Sequence, residues 1–381
     1  MLWLALLVTL HILWVWITAV RRGVSARRRQ PTETTVQPAA WPFVSVIVPA
    51  WCEGGTLEHC LNSLHALDYP HWEAIIVAGG PDGTYETARA ICADWEFFRV
   101  LVQSPRGKNA ALNQGITLTS GEVLVLLDAD SRMSPNWLKA LVAQLTADQP
   151  VACGDFLPLY ETPISLGLRM EQIAARGIEH YTGLQGGGGI ALRREIIDLV
   201  GKLPEDVSVG VDWDLNARLA MLKIERIFCP QAVLQTEIST TLRDYFRTEI
   251  RWRRAHLNSL VRHSSFFMPN LLALTKSLYI YFLTWFIVLT GLGAGVILIF
   301  GPHEIRLMAP ILWVSLVTWL LLRRAALAGA VAAYTNQLRW LKLVWAPALL
   351  LGATLMAIIP ATLTLKKSQA HFKGPRHTRS T

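Results

Sequence analysis

Four long uncharged segments constrain the fold of this 381-residue sequence more than any other feature. Each contains close to the roughly 20 residues that an α-helix needs to cross a bilayer, and they cover residues 1–20, 277–300, 307–322 and 343–363. With 52% hydrophobic residues, the chain is too apolar for an ordinary soluble protein. We therefore predict one N-terminal transmembrane helix over residues 1–20 and about three more within a C-terminal membrane region, residues 271–365.

Basic residues flank these segments and predict how the chain is oriented. Five arginines follow the first segment within a predicted linker, residues 21–41, whereas a cleaved signal peptide carries its positive charge ahead of its apolar run. We expect an uncleaved helix, a basic cytoplasmic linker and a multi-pass protein of the cell membrane whose central part faces the cytoplasm. Three C-terminal spans would place the basic tail, residues 366–381, on the opposite side, against the positive-inside rule. Either the middle segment, which Arg323 and Arg324 follow, is re-entrant or interfacial, or the tail breaks the rule.

The net charge and the cysteines narrow the choice of partners and compartment. The charge of +8 comes largely from the flanks of the apolar segments and favours contact with anionic lipid over nucleic acid, for which the sequence has no basic and aromatic signature. The five cysteines are odd in number and include no Cys-x-x-Cys pair, which argues against a zinc site or a disulfide framework. Reduced thiols suit a cytoplasmic domain.

Strand and helix patterns alternate through the central part of the chain. Wholly apolar runs predict four strands, at residues 43–48, 74–77, 99–102 and 123–127. Helical periodicity between them predicts three helices, at residues 57–67, 85–94 and 108–118. This alternation predicts an α/β domain over residues 42–239, with a mostly parallel, Rossmann-like sheet that binds its ligands beyond the carboxyl ends of the strands. Residues 240–270 follow as predicted amphipathic interfacial helices.

The sharpest motif is Asp128-Ala129-Asp130, which directly follows the apolar run VLVLL. The end of a strand places both carboxylates at the mouth of the sheet, where two acids one residue apart can hold a hard divalent cation that binds a diphosphate. A solvated loop with two acids is the alternative for the tripeptide alone. We favour the cation site because the two close carboxylates end a fully apolar strand.

Two helix starts carry further candidate residues. Gly107 permits close approach of the backbone, and Lys108 can face a phosphate near a helix N-terminus, although an ordinary helix start has the same pattern. Asp212 and Asp214 lead into a helix whose apolar side extends to Leu222. One of these two acids suits a helix cap, and Asp212 is the predicted general base that takes a proton from an acceptor hydroxyl.

A basic and aromatic helix, residues 245–254, precedes the C-terminal membrane region. Its composition suits an interfacial helix that contacts lipid headgroups. Arg251 is also a candidate for binding a diphosphate, and Trp252 is a candidate for stacking on a sugar ring. The two interpretations are compatible, because an enzyme that works at the membrane needs its site there.

The order of these motifs resembles that of a known family. The chain looks like the family 2 inverting glycosyltransferases of the cellulose, chitin and hyaluronan synthase type, and their ceramide- and carotenoid-glycosylating relatives, through the motifs VSVIVPAWCE, RGKNAALNQG, VLLDAD, VDWDLNARL and FRTEIRWRRA. The resemblance covers roughly residues 43–260. It implies a GT-A fold, a UDP- or GDP-sugar donor and a Mg or Mn ion.

The resemblance also implies roles for individual residues. Those on the nucleotide-sugar side are Pro49, Glu53, Asp82, Lys108, Asp128 and Arg251. Those on the acceptor side are Gly188, Gly189, Asp214 and Trp252. Asp130 would bind the metal, and Asp212 stands at the place of the catalytic aspartate in the family's Thr-Glu-Asp. The glycines would allow close backbone approach to a sugar.

Three departures from the family pattern bear on the substrates. The segment Ala78-Gly79-Gly80-Pro81-Asp82 replaces the usual Asp-Asp-Gly-Ser, in which an aspartate recognises the base, so the base and the sugar stay undetermined. Thr248 replaces the glutamine of Gln-x-x-Arg-Trp, which weakens the case for a processive polymer synthase. Val211 replaces the usual glutamate before Asp212.

These features predict a membrane-bound inverting glycosyltransferase that moves a sugar from a UDP- or GDP-sugar to a membrane lipid. The predicted partners are the nucleotide sugar, a lipid or glycan acceptor and membrane lipids, and the oligomeric state stays open. A processive polysaccharide synthase is the alternative, favoured by Trp252 and the several C-terminal helices. Two other classes remain: a non-catalytic membrane partner, favoured by Ala78 and Gly79, and a metal-dependent nucleotidyltransferase, which would share the diphosphate site.

Overall fold

A computed structural model describes residues 2–29, 38, 40–104, 107–206 and 210–365 of the chain. The chain divides into two compact units. The helical unit comprises Met1–Thr32, Tyr160–Tyr181 and Ser239–Leu365. The sheet unit comprises the described residues within Glu33–Leu159 and Thr182–Ile238. The predicted basic tail, residues 366–381, and residues 30–37 and 39 of the predicted linker lie outside the described residues.

Eight strands form one mixed sheet in the sheet unit. They are β1 (Val44–Trp51), β2 (Trp72–Gly79), β3 (Phe98–Val102), β4 (Val123–Leu126), β5 (Arg132–Met133), β6 (Val151–Pro158), β7 (Ile190–Arg193) and β8 (Arg226–Thr236). Their spatial order is β3-β2-β1-β4-β7-β6-β8-β5. The predicted parallel arrangement is confirmed for β1 to β4. The sheet as a whole is mixed, because β7 runs antiparallel to both β4 and β6, and β5 runs antiparallel to β8.

The α-helices of both units are as follows. They are α1 (Leu2–Arg28), α2 (Leu57–His65), α3 (Thr84–Ile91), α4 (Lys108–Ile116), α5 (Trp137–Val142), α6 (Pro163–Ile173), α7 (Arg194–Val200), α8 (Val211–Met221), α9 (Leu242–Arg262), α10 (Ser264–Phe267), α11 (Leu271–Phe300), α12 (Met308–Thr335) and α13 (Ala346–Leu363). The three helices predicted between the first strands are confirmed as α2, α3 and α4.

Both faces of the sheet are buried at β1, β2 and β4, which explains why these strands are mostly apolar. Successive residues of β1 point to opposite faces, so Val46 and Val48 belong to one apolar core and Ile47 belongs to the other. Helices α2, α3 and α5 contribute to the first core, and α4, α7 and α8 contribute to the second. The Asp128-Ala129-Asp130 motif follows the carboxyl end of β4.

A buried carboxylate, Glu73 of β2, ties three parts of the sheet unit together. Its Oε1 accepts hydrogen bonds from Ser45 Oγ at 2.7 Å and from the backbone N and Oγ of Ser120, both at 2.8 Å. Arg99 Nη2 lies 3.1 Å from its other oxygen. Burial raises the pKa of Glu73, but the hydrogen bonds from Ser120 and Ser45 and the charge of Arg99 outweigh it, so the pKa is lowered.

Replacing Glu73 with Gln is expected to lower the free energy of unfolding by about 1–3 kcal/mol at neutral pH, because a buried charged acceptor becomes neutral. Since the folded pKa is lowered, the contribution of the carboxylate is complete above the usual glutamate pKa of about 4.3 and is lost as the pH falls through the folded pKa. The difference between wild type and variant should therefore shrink below about pH 4. Denaturant unfolding in detergent, followed by tryptophan fluorescence at several pH values, measures this difference.

Glu96→Gln, at an exposed position between α3 and β3, is the matched control and should change stability by no more than about 0.5 kcal/mol. A difference between wild type and Glu73→Gln that did not vary with pH would contradict the role of the charged form.

Three helices of the helical unit, α11, α12 and α13, are long and apolar enough to cross a membrane. They correspond to the predicted segments 277–300, 307–322 and 343–363. The middle one is much longer than predicted, because α12 continues through Arg323 and Arg324 and ends only at Asn336, which has a left-handed backbone (φ 57°). Both arginines are accommodated within the helical unit. Arg324 Nη2 lies 2.9 Å from a carboxylate oxygen of Glu171, and the Arg323 guanidinium lies 5.6 Å from the ring centre of Trp319.

Helix α1 also extends further than predicted, from Leu2 to Arg28, so the first residues of the predicted linker are helical. The sequence contains no proline in this range that would end the helix, and Arg27 and Arg28 at its C-terminus complement the helix dipole. Helix α1 is not tested by the identification of α11, α12 and α13, which covers only the described residues, so its crossing of a membrane stays a prediction. It packs closely on α12, where a Cβ at Gly23 would overlap the carbonyl oxygen of Ala330.

The segment Tyr160–Tyr181 interrupts the range that the sequence analysis predicted as one domain, residues 42–239. It contains α6 and a π-helical turn, Ala174–Ile178, and it belongs to the helical unit. Ile164 of α6 packs in a small apolar cluster with Leu350 of α13 and Tyr245 of α9. Because these apolar side chains are buried together, α6 belongs to the helical unit, although the chain before and after this segment belongs to the sheet unit.

Candidate active site

The two carboxylates of the Asp128-Ala129-Asp130 motif lie just beyond the end of β4, as predicted. Lys108, the first residue of α4, forms an ion pair with Asp128 through Nζ and Oδ1. Gly107 precedes it with a φ of 139°, a conformation that favours glycine and lets the chain turn from β3 into α4. The structure therefore brings together two residues that the sequence analysis assigned separately to the nucleotide-sugar site.

Three predicted site residues, Asp128, Asp130 and Asp212, lie close enough to Lys108 for their charges to affect its pKa. Burial lowers the pKa of Lys108, but the charge and the hydrogen bond of Asp128, together with the charges of Asp212 and Asp130, outweigh it, so the pKa is raised. Lys108 is therefore protonated at neutral pH and lies within electrostatic range of three carboxylates that come from two distant parts of the sequence. Such a constellation can neutralise a diphosphate and leave a carboxylate available as a proton acceptor.

Asp130 is the most buried carboxylate of the motif, with 6% of its surface exposed. Thr236 Oγ1, at the last residue of β8, donates a hydrogen bond to Asp130 Oδ1 at 3.2 Å. The sequence analysis missed Thr236; its only signal is its place at the end of a strand. Cys60 lies on the other side of the motif, where its Sγ is 3.8 Å from the carbonyl oxygen of Asp128, and burial and the charge of Asp130 raise the pKa of its thiol.

The residues present fit a hard divalent cation that a diphosphate helps to bind. Asp128 and Asp130 offer carboxylate oxygens, the donors that Mg and Mn prefer. Among the described residues there is no group of three or more His, Cys, Asp or Glu side chains that could enclose a metal ion. The protein thus contributes few ligands, as is usual where substrate phosphates complete the coordination. Because Lys108 already pairs with Asp128, Asp130 is the better candidate for the metal, and this role stays a prediction.

Asp212 and Asp214 lie in the first turn of α8, after Gly210 with a φ of 88°. Asp212 Oδ1 accepts a hydrogen bond from the backbone N of Trp213 at 3.0 Å, and its side chain is half-buried. Asp214 is 2% exposed, and its carboxylate lies 2.8 Å from Arg218 Nε. The ion pair gives Asp214 a structural role, while its predicted contact with an acceptor stays a prediction.

Leu222 is not part of the apolar side of α8. It lies just beyond the helix, which ends at Met221, and its side chain is exposed, unlike that of Leu219 one turn before it. The apolar side therefore ends with the helix.

Asp82 fastens the loop after β1 to the loop after β2. Its carboxylate accepts hydrogen bonds from Gly54 N at 3.2 Å and from Thr84 Oγ1 at 2.7 Å, and Thr84 Oγ1 accepts one from Glu53 N at 2.9 Å. Although partial burial acts to raise the pKa of Asp82, these hydrogen bonds lower it. Pro49 lies within β1, paired with β2. The predicted donor contacts of Pro49, Glu53 and Asp82 stay predictions, and loop cross-linking is a role that the sequence did not indicate for Asp82.

Packing at Gly79 leaves little room for a side chain at the end of β2, the segment in which the family usually has an aspartate. A Cβ at Gly79 would lie 3.0 Å from Cζ3 of Trp51 and 3.2 Å from Cβ of Gln103. Gln103 Nε2 donates to the carbonyl oxygen of Gly107 at 2.9 Å. Its Oε1 is buried and has no hydrogen-bond partner among the described residues. A larger side chain at position 79 would require Trp51 or Gln103 to move.

The glycines of the predicted acceptor loop are needed for packing within the sheet unit. A Cβ at Gly188 would overlap the carbonyl oxygen of Gly154 in β6. Gly189 has a φ of 77°, and a Cβ there would lie 2.6 Å from Cζ2 of Trp137. Close backbone packing therefore accounts for both glycines without an acceptor, and their contact with a sugar stays a prediction.

Arg251 and Trp252 belong to α9, in the helical unit, whereas the other predicted site residues belong to the sheet unit. Trp252 is 40% exposed, and Arg251 is half-buried. On the same helix, Arg253 Nε lies 2.9 Å from the buried carboxylate of Glu249. The exposed indole of Trp252 suits either a lipid surface or a sugar ring.

Comparisons with known proteins identify a family profile and relatives that this chain resembles. The sequence profile described as Glycosyl transferase family 2 matches residues 45–186. Glycosyltransferase AglE of Haloferax volcanii is 28% identical over 46% of this chain and 61% of its own length. The beta-monoglucosyldiacylglycerol synthase of Nostoc is 24% identical over 77% of this chain and 66% of its own length. The chain thus spans somewhat under two thirds of the length of these two relatives.

A solved structure shows the same fold over nearly the whole chain. The mannosyltransferase PcManGT from Pyrobaculum calidifontis, in complex with GDP-Man and Mn²⁺, superposes with a TM-score of 0.65 at 20% sequence identity. The match covers 95% of this chain and 98% of that one. The profile match over residues 45–186 includes Lys108, Asp128 and Asp130 and assigns this part of the chain to the family 2 glycosyltransferases, and the superposition shows that the chain has a GT-A fold.

Proposed function

We propose that the protein is a membrane-bound inverting glycosyltransferase that transfers one sugar from a UDP- or GDP-sugar to a membrane lipid. The observation that carries this proposal is the cluster of Asp128, Asp130 and Asp212 around the protonated Lys108. Lys108 suits a diphosphate, and Asp212 suits a general base. The proposed orientation keeps the sheet unit in the cytoplasm, where nucleotide sugars are made.

The chemistry requires charge neutralisation of a leaving diphosphate and removal of one proton. A bound Mg or Mn ion would neutralise diphosphate charge next to Asp130. Lys108 adds a positive charge on the same side, held in place by Asp128. Asp212 accepts the proton of the acceptor hydroxyl as that oxygen attacks the anomeric carbon from the face opposite the diphosphate. A single displacement of this kind inverts the anomeric configuration, so an α-linked donor gives a β-linked product.

A lipid acceptor is favoured by the three long apolar helices and by the name of one relative. By its name, the Nostoc relative makes monoglucosyldiacylglycerol, a sugar-bearing membrane lipid. The absence of the family's glutamine at Thr248 also argues for a single transfer. The second candidate function is a processive polysaccharide synthase, which the exposed ring of Trp252 on α9 favours, because such a ring can bind successive sugars.

Nucleoside diphosphate release by the full-length protein in detergent tests the proposal. Common UDP- and GDP-sugars are supplied one at a time with Mn²⁺ and a total lipid extract. We expect release with one donor, a single labelled sugar in the organic phase and inverted anomeric configuration by NMR. A ladder of water-soluble products would support the synthase instead. A product that retains the donor configuration would refute the displacement, and release of pyrophosphate would identify a nucleotidyltransferase.

A further inference from the structure

Two buried asparagines of α4 have no role in the proposed chemistry, yet both bind a distant segment of the chain. Asn113 Nδ2 donates to the carbonyl oxygen of Leu203 at 2.8 Å, and Asn113 Oδ1 accepts from Leu203 N at 3.0 Å. The same Nδ2 lies 3.0 Å from Glu205 Oε1. Asn109 Nδ2 donates to the carbonyl oxygen of Pro204 at 2.7 Å. Helix α4 therefore holds residues 203–205, about 90 positions further along the sequence.

Helix α8 holds the preceding residues of the same segment. Arg218 Nη1 donates to the carbonyl oxygen of Val200 at 3.2 Å and to that of Lys202 at 3.0 Å. The buried carboxylate of Asp214 orients Arg218 through the ion pair at Nε. We call residues 200–205 the bridge segment, because α8 binds one part of it and α4 binds the other.

The bridge segment connects the two helices that carry the reacting groups. Lys108 is the first residue of α4, and Asp212 is the second residue of α8. Because the hydrogen bonds of Asn113 and Arg218 converge on one short stretch of backbone, a shift of either helix along its axis would break them. The distance between the diphosphate-binding end of α4 and the base on α8 is thereby fixed from outside the site.

We propose that Asn113, acting through the bridge segment, is a positioning residue that fixes Asp212 relative to Lys108 and Asp128. This inference rests on the proposed role of Asp212 as the base. Asn109 and Arg218 support the same positioning. Asn109 makes one hydrogen bond to the bridge segment from α4, and Arg218 makes two from α8. The diphosphate site itself does not depend on the bridge segment, since Lys108 and Asp128 pair directly.

Asn113→Ala tests the proposal by separating turnover from donor binding. We expect kcat to fall roughly 10- to 100-fold, because a displacement of about 1 Å in a reacting group has effects of that size. The donor KM, and the affinity for UDP or GDP measured by titration with Mn²⁺, should stay within about two-fold of wild type. Gln114→Ala is the matched control, since Gln114 on the same helix makes two similar hydrogen bonds, to Ser104 and Val102 near β3, and none to the bridge segment.

An unchanged kcat in Asn113→Ala would overturn the inference, as would an equal loss of nucleotide affinity or the same fall in kcat for Gln114→Ala. If Asn113→Ala does not fold, Asn109→Ala and Arg218→Lys decide the question by the same comparison. The experiment distinguishes a failure of this inference from a failure of the proposed function. Full turnover by Asp212→Asn would refute the base, and this inference with it. An inactive Asp212→Asn beside an unimpaired Asn113→Ala would refute the positioning role alone.

Discussion

Replacing Asp212 with Asn should lower kcat by a factor of about 10²–10⁴, the range that a positioned general base contributes. The amide has nearly the same shape as the carboxylate but accepts no proton at neutral pH. Lys108 keeps its ion pair with Asp128, so the diphosphate site retains its charge. The affinity for UDP or GDP should therefore change little. Single-turnover rates and nucleotide titrations on the same preparation measure the two quantities separately.

Asp198→Asn serves as the control for this substitution. Asp198 is exposed on α7, in the same unit, and its replacement should alter neither kcat nor nucleotide affinity. If Asp212→Asn weakened nucleotide binding as much as turnover, Asp212 would belong to the diphosphate site. Normal turnover would show that another group accepts the proton.

Gly188→Ala should destabilise the sheet unit by about 3 kcal/mol or more, at the upper end of the usual cost of overpacking. The added methyl would overlap the carbonyl oxygen of Gly154, and neither backbone can move away without breaking the pairing of β6 with its neighbours. Denaturant unfolding in detergent measures the loss. A variant with normal stability but a raised acceptor KM would contradict the packing account and support direct contact with a sugar.

Gly201→Ala provides the comparison for this prediction. Gly201 has a φ of 77°, so alanine is strained there, but a Cβ would meet no atom within 4 Å. Its cost should be limited to the roughly 1–3 kcal/mol of backbone strain in an extended conformation with positive φ, which is essentially restricted to glycine. The excess loss in Gly188→Ala then measures the overlap with Gly154. Similar losses in both variants would indicate that backbone strain, and not crowding, determines the need for glycine.

The first half of the sheet and the centre of the site could be predicted because both follow from local pattern. A wholly apolar run indicates a strand buried on both faces, and the polar residues that follow it must lie at the end of that strand. This reasoning located Asp128 and Asp130, and the helix start at Lys108, correctly with respect to the strands and helices. It also placed Asp212 at the start of a helix, although only the structure shows that its charge reaches Lys108.

The packing of α6 and the direction of β7 could not be predicted, because they depend on which helices and strands pack against each other in the folded chain. The pattern of α6 shows one apolar side, but nothing in it indicates that Leu350 of α13 provides the covering surface. The antiparallel direction of β7 follows from the path of the preceding chain, not from its four residues. Asp214 and Arg218 stand four residues apart on α8, so their pairing follows from local sequence, but the burial of Asp214 depends on the elements packed around it.

The close contact between Gly23 and Ala330 links two helices that are made at very different times. About 300 residues separate these positions, and the entire described part of the sheet unit is translated between them. The ribosome therefore completes α1 long before α12 exists. The side of α1 that contains Gly23 stays without its partner helix while the sheet unit is synthesised. Assembly of the helical unit must come late in biogenesis, and until then α1 is open to pairing with other helices in its surroundings.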